Sequence, residues 1–119
     1  MFTVLATRLA LKIVDPATTA LEYSQAVSVE GDNGVTFDFT VYNMNGTGLD
    51  IKAQFSSDLE NWTDGPTTIN ATTPGYFTSA TAGAAENAIG YQYARLEYRL
   101  SGADANFAIL ASGITTSNQ

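Results

Sequence analysis

Twelve carboxylates, no histidine and no cysteine bound the chemistry open to this chain. Without His and Cys it lacks the commonest general base, the commonest nucleophile and most transition-metal ligands. What remains is carboxylate chemistry. Glycoside hydrolysis needs two carboxyl groups about 5–10 Å apart across a cleft. Asp58 with Asp64, or Glu22 with Glu97, are pairs that a fold could bring to that distance. Nothing in the sequence puts either pair in a pocket, so no catalytic role is expected. Asp58, Glu60 and Asp64 could also offer oxygens to Ca²⁺. Their spacing is not that of an EF-hand, and an acidic loop is most simply a solvated one. No metal and no cofactor are therefore expected, and the chain reads as a binding or building protein, not an enzyme.

Three groups of residues are candidates for contact with a partner. Trp62 stands alone among these carboxylates, in Asp58-Leu59-Glu60-Asn61-Trp62-Thr63-Asp64. It either caps one end of a core or serves as an exposed platform for a sugar or a protein. Tyr91, Tyr93, Arg95 and Arg99 fall on one face of a strand together with Glu97. That mixture suits a protein interface, and equally a charged solvent face whose ion pairs contribute little. Two of only five basic residues are spent there, which points to a specific partner, a second copy included. Phe2 and Val4 form the third group, on an N-terminal strand able to add to a neighbour's sheet. Asn45-Gly46-Thr47, Asn61-Trp62-Thr63 and Asn70-Ala71-Thr72 fit the N-glycosylation pattern, as chance allows in a chain so rich in Asn and Thr.

The elements that hold these residues show a period of two. Val35, Phe37, Phe39 and Val41 alternate with polar neighbours, as do Leu49, Ile51, Ala53 and Phe55, and Ala94, Leu96, Tyr98 and Leu100. Alternation of this kind gives each strand one core face and one wet face. About eight strands are expected: near Thr3–Val14, Ala20–Ser28 (with a break), Val35–Tyr42, Leu49–Ser56, Thr67–Asn70, Gly75–Ser79, Tyr91–Leu100 and Asn106–Ile114. Turn signals lie at Glu30-Gly31-Asp32-Asn33-Gly34 and Asn43–Gly48, and Ser101–Asp104 reads as a hairpin into the last strand. The Ala-rich stretch 80–90 reads as a loop or one helical turn. The expected fold is an all-β antiparallel sandwich, jelly-roll or Ig-like, with little or no helix, in one domain over residues 1–119. The tail Thr115–Gln119 has no apolar anchor of its own.

A net charge of −7 disfavours nucleic acid and anionic membranes as partners. Arg8 and Lys12 interrupt the apolar N-terminal run, so it does not read as a signal peptide. The segment Ala53–Asp64, with its Ser-Asp turn and Asn61-Trp62, resembles small β-sandwich virion proteins of tailed bacteriophages. Tyr93–Tyr98 and Ala108–Ile114 resemble the last two strands of the same type. The resemblance implies a capsid decoration (cement) or minor head protein, made in the host cytoplasm and bound to the major capsid protein and to copies of itself. It implies that loss of Met1–Leu5 and Thr115–Gln119 would abolish shell binding but not folding. A carbohydrate-binding sandwich module and a self-assembling shell or fibre subunit are the alternatives. The former requires Trp62, Tyr76 or Tyr91 to be exposed together on one surface.

Overall fold

The computed structural model describes residues 2–29, 34–79, 86–87 and 91–117. These residues form ten strands: β1 (Phe2–Lys12), β2 (Thr19–Tyr23), β3 (Val27–Ser28), β4 (Gly34–Met44), β5 (Gly48–Ser56), β6 (Thr63–Ala71), β7 (Gly75–Thr78), β8 (Glu86–Asn87), β9 (Tyr93–Ser101) and β10 (Phe107–Ser117). They pair antiparallel in two sheets. Sheet A has the order β1-β10-β4-β7, with β8 also on β4; sheet B has the order β2-β9-β5-β6, with β3 also on β9. Taking β2 with β3 and β7 with β8 as interrupted strands leaves eight, in the orders 1-8-3-6 and 2-7-4-5. This is the double Greek key of a jelly roll. Among the described residues no α-helix forms.

The alternating runs form the dry layer between the sheets. Phe37, Phe39, Val41, Leu110 and Ile114 of sheet A face Leu49, Ile51, Leu96, Tyr98 and Leu100 of sheet B, all at 2% exposure or less. Each such side chain contributes about 1.5–3 kcal/mol on burial. Tyr98 is the largest of them, and its hydroxyl must find a partner because water cannot reach it. It shares a hydrogen bond with Ser112 of the opposite sheet, tying β9 to β10 through the core. Burial pushes its phenol pKa up, so the group stays neutral. At the margins Phe39 stacks on Phe77 and Phe55 on Tyr91, with ring centroids 5.0 and 5.6 Å apart.

Two local expectations are corrected. Ser101–Asp104 does not close a hairpin: β9 lies in sheet B and β10 in sheet A, so the chain crosses the sandwich there. The turn expected at Asn43–Gly48 forms, with Gly46 at φ 127°, and it carries the chain from sheet A to sheet B. A Cβ on Gly46 would lie 2.9 Å from the Ser101 carbonyl oxygen, so the two crossings are packed together. The C-terminal segment is anchored after all, since Thr115, Thr116 and Ser117 pair with Thr36, Val35 and Gly34 in the middle of sheet A. Backbone pairing holds what side-chain hydrophobicity could not, and removing these residues would strip a central ladder. The turn at 30–33 and most of the stretch 80–90 lie outside the described residues.

Replacing Tyr98 by Phe leaves the Ser112 hydroxyl buried without its partner. We expect a loss of about 1–3 kcal/mol, read in urea unfolding as a lower midpoint at unchanged slope.

Candidate functional site

The two outer faces of the sandwich differ in kind. On sheet B the polar residues of β5, β6 and β9 satisfy one another. Gln54 donates to Asp64 at 2.8 Å and to Glu97 at 3.0 Å, and accepts from Arg95 at 2.9 Å. Lys52 lies 2.9 Å from Asp64, and Arg99 lies 3.3 Å from Glu97. The Gln54 amide and Lys52 hold the Asp64 carboxyl below the usual range. The Arg95 guanidinium sits 4.0 Å from the ring centroid of Tyr23 on one side and 4.0 Å from Trp62 on the other. Stacked between two rings, it is held by cation–π attraction as well as by Gln54. Most of this face is occupied by the network, with one smaller hollow of about 110 Å³ lined by Asp50, Lys52, Thr68, Glu97 and Arg99.

The loop between β5 and β6 explains the carboxylate cluster. Ser56 Oγ accepts from the Asp58 and Leu59 amides. Asp58 in turn accepts from the Glu60 and Asn61 amides and from the Asn61 side chain, at 2.7–2.9 Å. These donors hold the Asp58 carboxyl far below the usual carboxylate range. Its folded pKa is depressed, so its support for the loop is complete above the ordinary range and is lost only as pH falls well below it. Trp62 Nε1 donates to the Leu59 carbonyl at 3.2 Å, which seats the ring over Arg95. The Ser-Asp…Asn-Trp pattern is thus a clamp that places one tryptophan. Among the described residues no three potential ligands converge on a metal position. Glu22 and Glu97 cannot act as a pair, because Glu22 stands opposite Tyr98 and Glu97 opposite Tyr23, on alternate faces of the sheet.

Sheet A presents the opposite situation. Its outer face holds a groove of about 340 Å³ between β1 on one side and β4 with β7 on the other. The floor is made of small side chains, Ala111 and Gly113 of β10 and Thr40 of β4. Phe2 and Val4 form one wall, Tyr42 and Tyr76 the other; they are 55%, 51%, 56% and 63% exposed. Half of the exposed large apolar side chains among the described residues therefore meet in one depression. The Phe2 ring closes over Gly113, where a Cβ would come within 2.4 Å of its Cζ. Asp38 sits beside that glycine and accepts from the Tyr76 hydroxyl at 3.1 Å. Desolvation and the Asp38 carboxylate push the Tyr76 pKa up, keeping the phenol a donor.

The candidate residues from sequence are thus dispersed. Phe2 and Val4 stand in the sheet A groove. Arg95, Arg99 and Trp62 belong to the sheet B network. Tyr93 is half-buried at the start of β9, opposite Ser28 and Ser56. Tyr91 precedes the strand and turns inward onto Phe55, so it leaves the stripe that period-two counting assigned it. Trp62, Tyr76 and Tyr91 accordingly share no single surface. Asp38, Tyr42 and Gly113 carried no signal in the sequence beyond their place on the polar parity of β4 and β10. All three Asn-X-Thr asparagines are engaged: Asn45 with Phe107, Asn61 with Asp58 and Asn70 with Asp50.

No protein-family model and no curated protein matches this chain. Solved structures share its fold at very low identity. The crystal structure of PirA is similar at a TM-score of 0.58 and 11% identity, covering 91% of this chain and 93% of that one. A carbohydrate-binding module specific for non-crystalline cellulose is similar at 0.54 and 11%, covering 99% and 82%. A structure described among promiscuous carbohydrate-binding modules of the β-sandwich superfamily is similar at 0.52 and 10%, covering 93% and 54%. At such identities the likeness is one of fold.

Trp62 is the chain's only tryptophan, so its emission reports the clamp alone. We expect Asp58→Ala to red-shift that emission and to raise acrylamide quenching while the far-ultraviolet β signal persists. An unmoved spectrum would mean the ring is seated without the carboxylate.

Proposed function

We propose that this chain is a non-catalytic binding domain that takes a glycan along the outer face of sheet A. The observation that carries the reading is the groove itself: exposed rings on both walls, a floor of small side chains and one carboxylate within reach. Sugars offer an apolar ring face and a rim of hydroxyls. Tyr42, Tyr76 and Phe2 suit the first, since flat rings give contact area at little entropic cost. Asp38 suits the second, as a charged acceptor of hydroxyl hydrogens. The volume is at the small end for ligand sites, enough for one or two sugar units at a time. Support also comes from two similar solved structures being carbohydrate-binding modules.

A second reading, attachment to a protein shell as a decoration protein, is favoured by one feature. β1 is an edge strand of sheet A, and Phe2 and Val4 stand exposed on it. Contact there would use an apolar surface that is otherwise wetted.

Covering roughly 60 Å² of a tyrosine ring contributes about 1.5 kcal/mol, close to tenfold in affinity. Titration with soluble β-glucan oligosaccharides should therefore show about tenfold weaker binding for each of Tyr42→Ala and Tyr76→Ala, and no change for Trp62→Ala on the opposite sheet. Equal losses in all three variants would contradict the placement. Co-sedimentation with empty capsids, in the absence of any glycan response, would favour the shell reading instead.

A further inference from the structure

A second depression, lined by Thr7, Arg8 and Tyr42, shares two of those three residues with the main groove. β1 reaches it through a bulge. Between the pairs Ala6↔Ser112 and Leu9↔Leu110, β1 has two residues, Thr7 and Arg8, where β10 has only Ala111. A bulge breaks the strict alternation of a strand and re-aims its side chains. Here it sets two consecutive exposed residues opposite Ala111, which is part of the groove floor. β4 has its own register shift at the matching level, with Tyr42 as the extra residue between the pairs Leu110↔Val41 and Ile109↔Asn43. Both flanking strands are thus irregular at the same end of the groove.

That end is cationic. On sheet B, Lys52 and Arg99 lie against carboxylates and Arg95 is enclosed by two rings. Arg8 and Lys12, both exposed on β1, form no ion pair among the described residues, and of the two Arg8 lines the depression beside the groove. Asp38 is two strands away and two residues along, about 12 Å from Arg8 by strand spacing and rise. The groove and the depression that adjoins it therefore offer an anionic position and a cationic one, separated by the small side chains of the β10 floor.

We propose that this groove selects a glycan segment carrying a carboxylate at one end, with that carboxylate on Arg8 and a neutral sugar's hydroxyls on Asp38. The inference rests on the glycan reading above. A guanidinium matches a carboxylate with two parallel hydrogen bonds, which a hydroxyl cannot supply. A chain acidic at every sugar brings a second carboxylate towards Asp38, and like charges set together are disfavoured.

The test is calorimetric titration of the full chain with three probes: cellotriose, cellotriose bearing one terminal glucuronate, and a trimer of glucuronate. We expect the singly acidic probe to bind about tenfold more tightly than cellotriose, with the preference shrinking at high salt. The all-acid trimer should bind less well than the singly acidic probe. Arg8→Gln should erase the preference while leaving cellotriose binding intact, and Arg8→Lys should retain part of it. Equal affinity for cellotriose and its acidic form, unchanged in Arg8→Gln, overturns the Arg8 assignment and leaves the glycan reading standing. No binding of any probe overturns both.

Discussion

Four central strands, β4 and β10 in one sheet and β5 and β9 in the other, keep their apolar faces together, and the rest of the molecule hangs on that contact. Their alternation makes each strand half core and half surface, so closing the sandwich creates two broad outer faces at the same time. The hydrogen bond between Tyr98 and Ser112 crosses this layer and satisfies polar groups at its centre. Because β9 and β10 are joined by that bond and by the packing around it, the outer faces of sheets A and B have fixed positions relative to one core.

The outer faces have been put to different uses. Sheet B exposes charges and amides that complete one another, with Arg95 held between Trp62 and Tyr23. Sheet A exposes rings and has small side chains on β10, so its larger hollow is apolar where that of sheet B is smaller and charged. The hollow's shape depends on Gly113: a larger residue at that point of β10 would collide with the Phe2 ring and crowd Asp38.

The distribution of charge has a similar logic. The chain is strongly acidic, yet its basic residues are not spread to balance that charge. Three of the five brace one sheet, Lys12 lies exposed farther along β1, and Arg8 is carried on a bulge to the rim of the other sheet's groove. In a negatively charged molecule an unpaired cation at such a rim is conspicuous to an anionic ligand group at short range, where screening by salt is incomplete.

The sequence by itself determined the class of the fold. Period-two runs such as Val35–Val41 and Ala94–Leu100 dictate which side chains are buried whatever their partners, because alternation is a property of the strand alone. Absence of His and Cys and the spacing of the carboxylates were equally legible, as was the importance of Ser56–Trp62, though not its purpose. Only the tertiary structure decided which strands are neighbours. Strand order depends on contacts remote in sequence, so the crossings at Ser101–Asp104 and the anchoring of Thr115–Ser117 in sheet A could not be read locally. The groove was hidden for the same reason. Phe2, Asp38, Tyr42, Tyr76 and Gly113 come from four strands of sheet A, and no window of sequence contains them. Bulges added a further layer, since one extra residue in β1 or β4 redirects Arg8 or Tyr42 at a point where the alternation rule gives no warning.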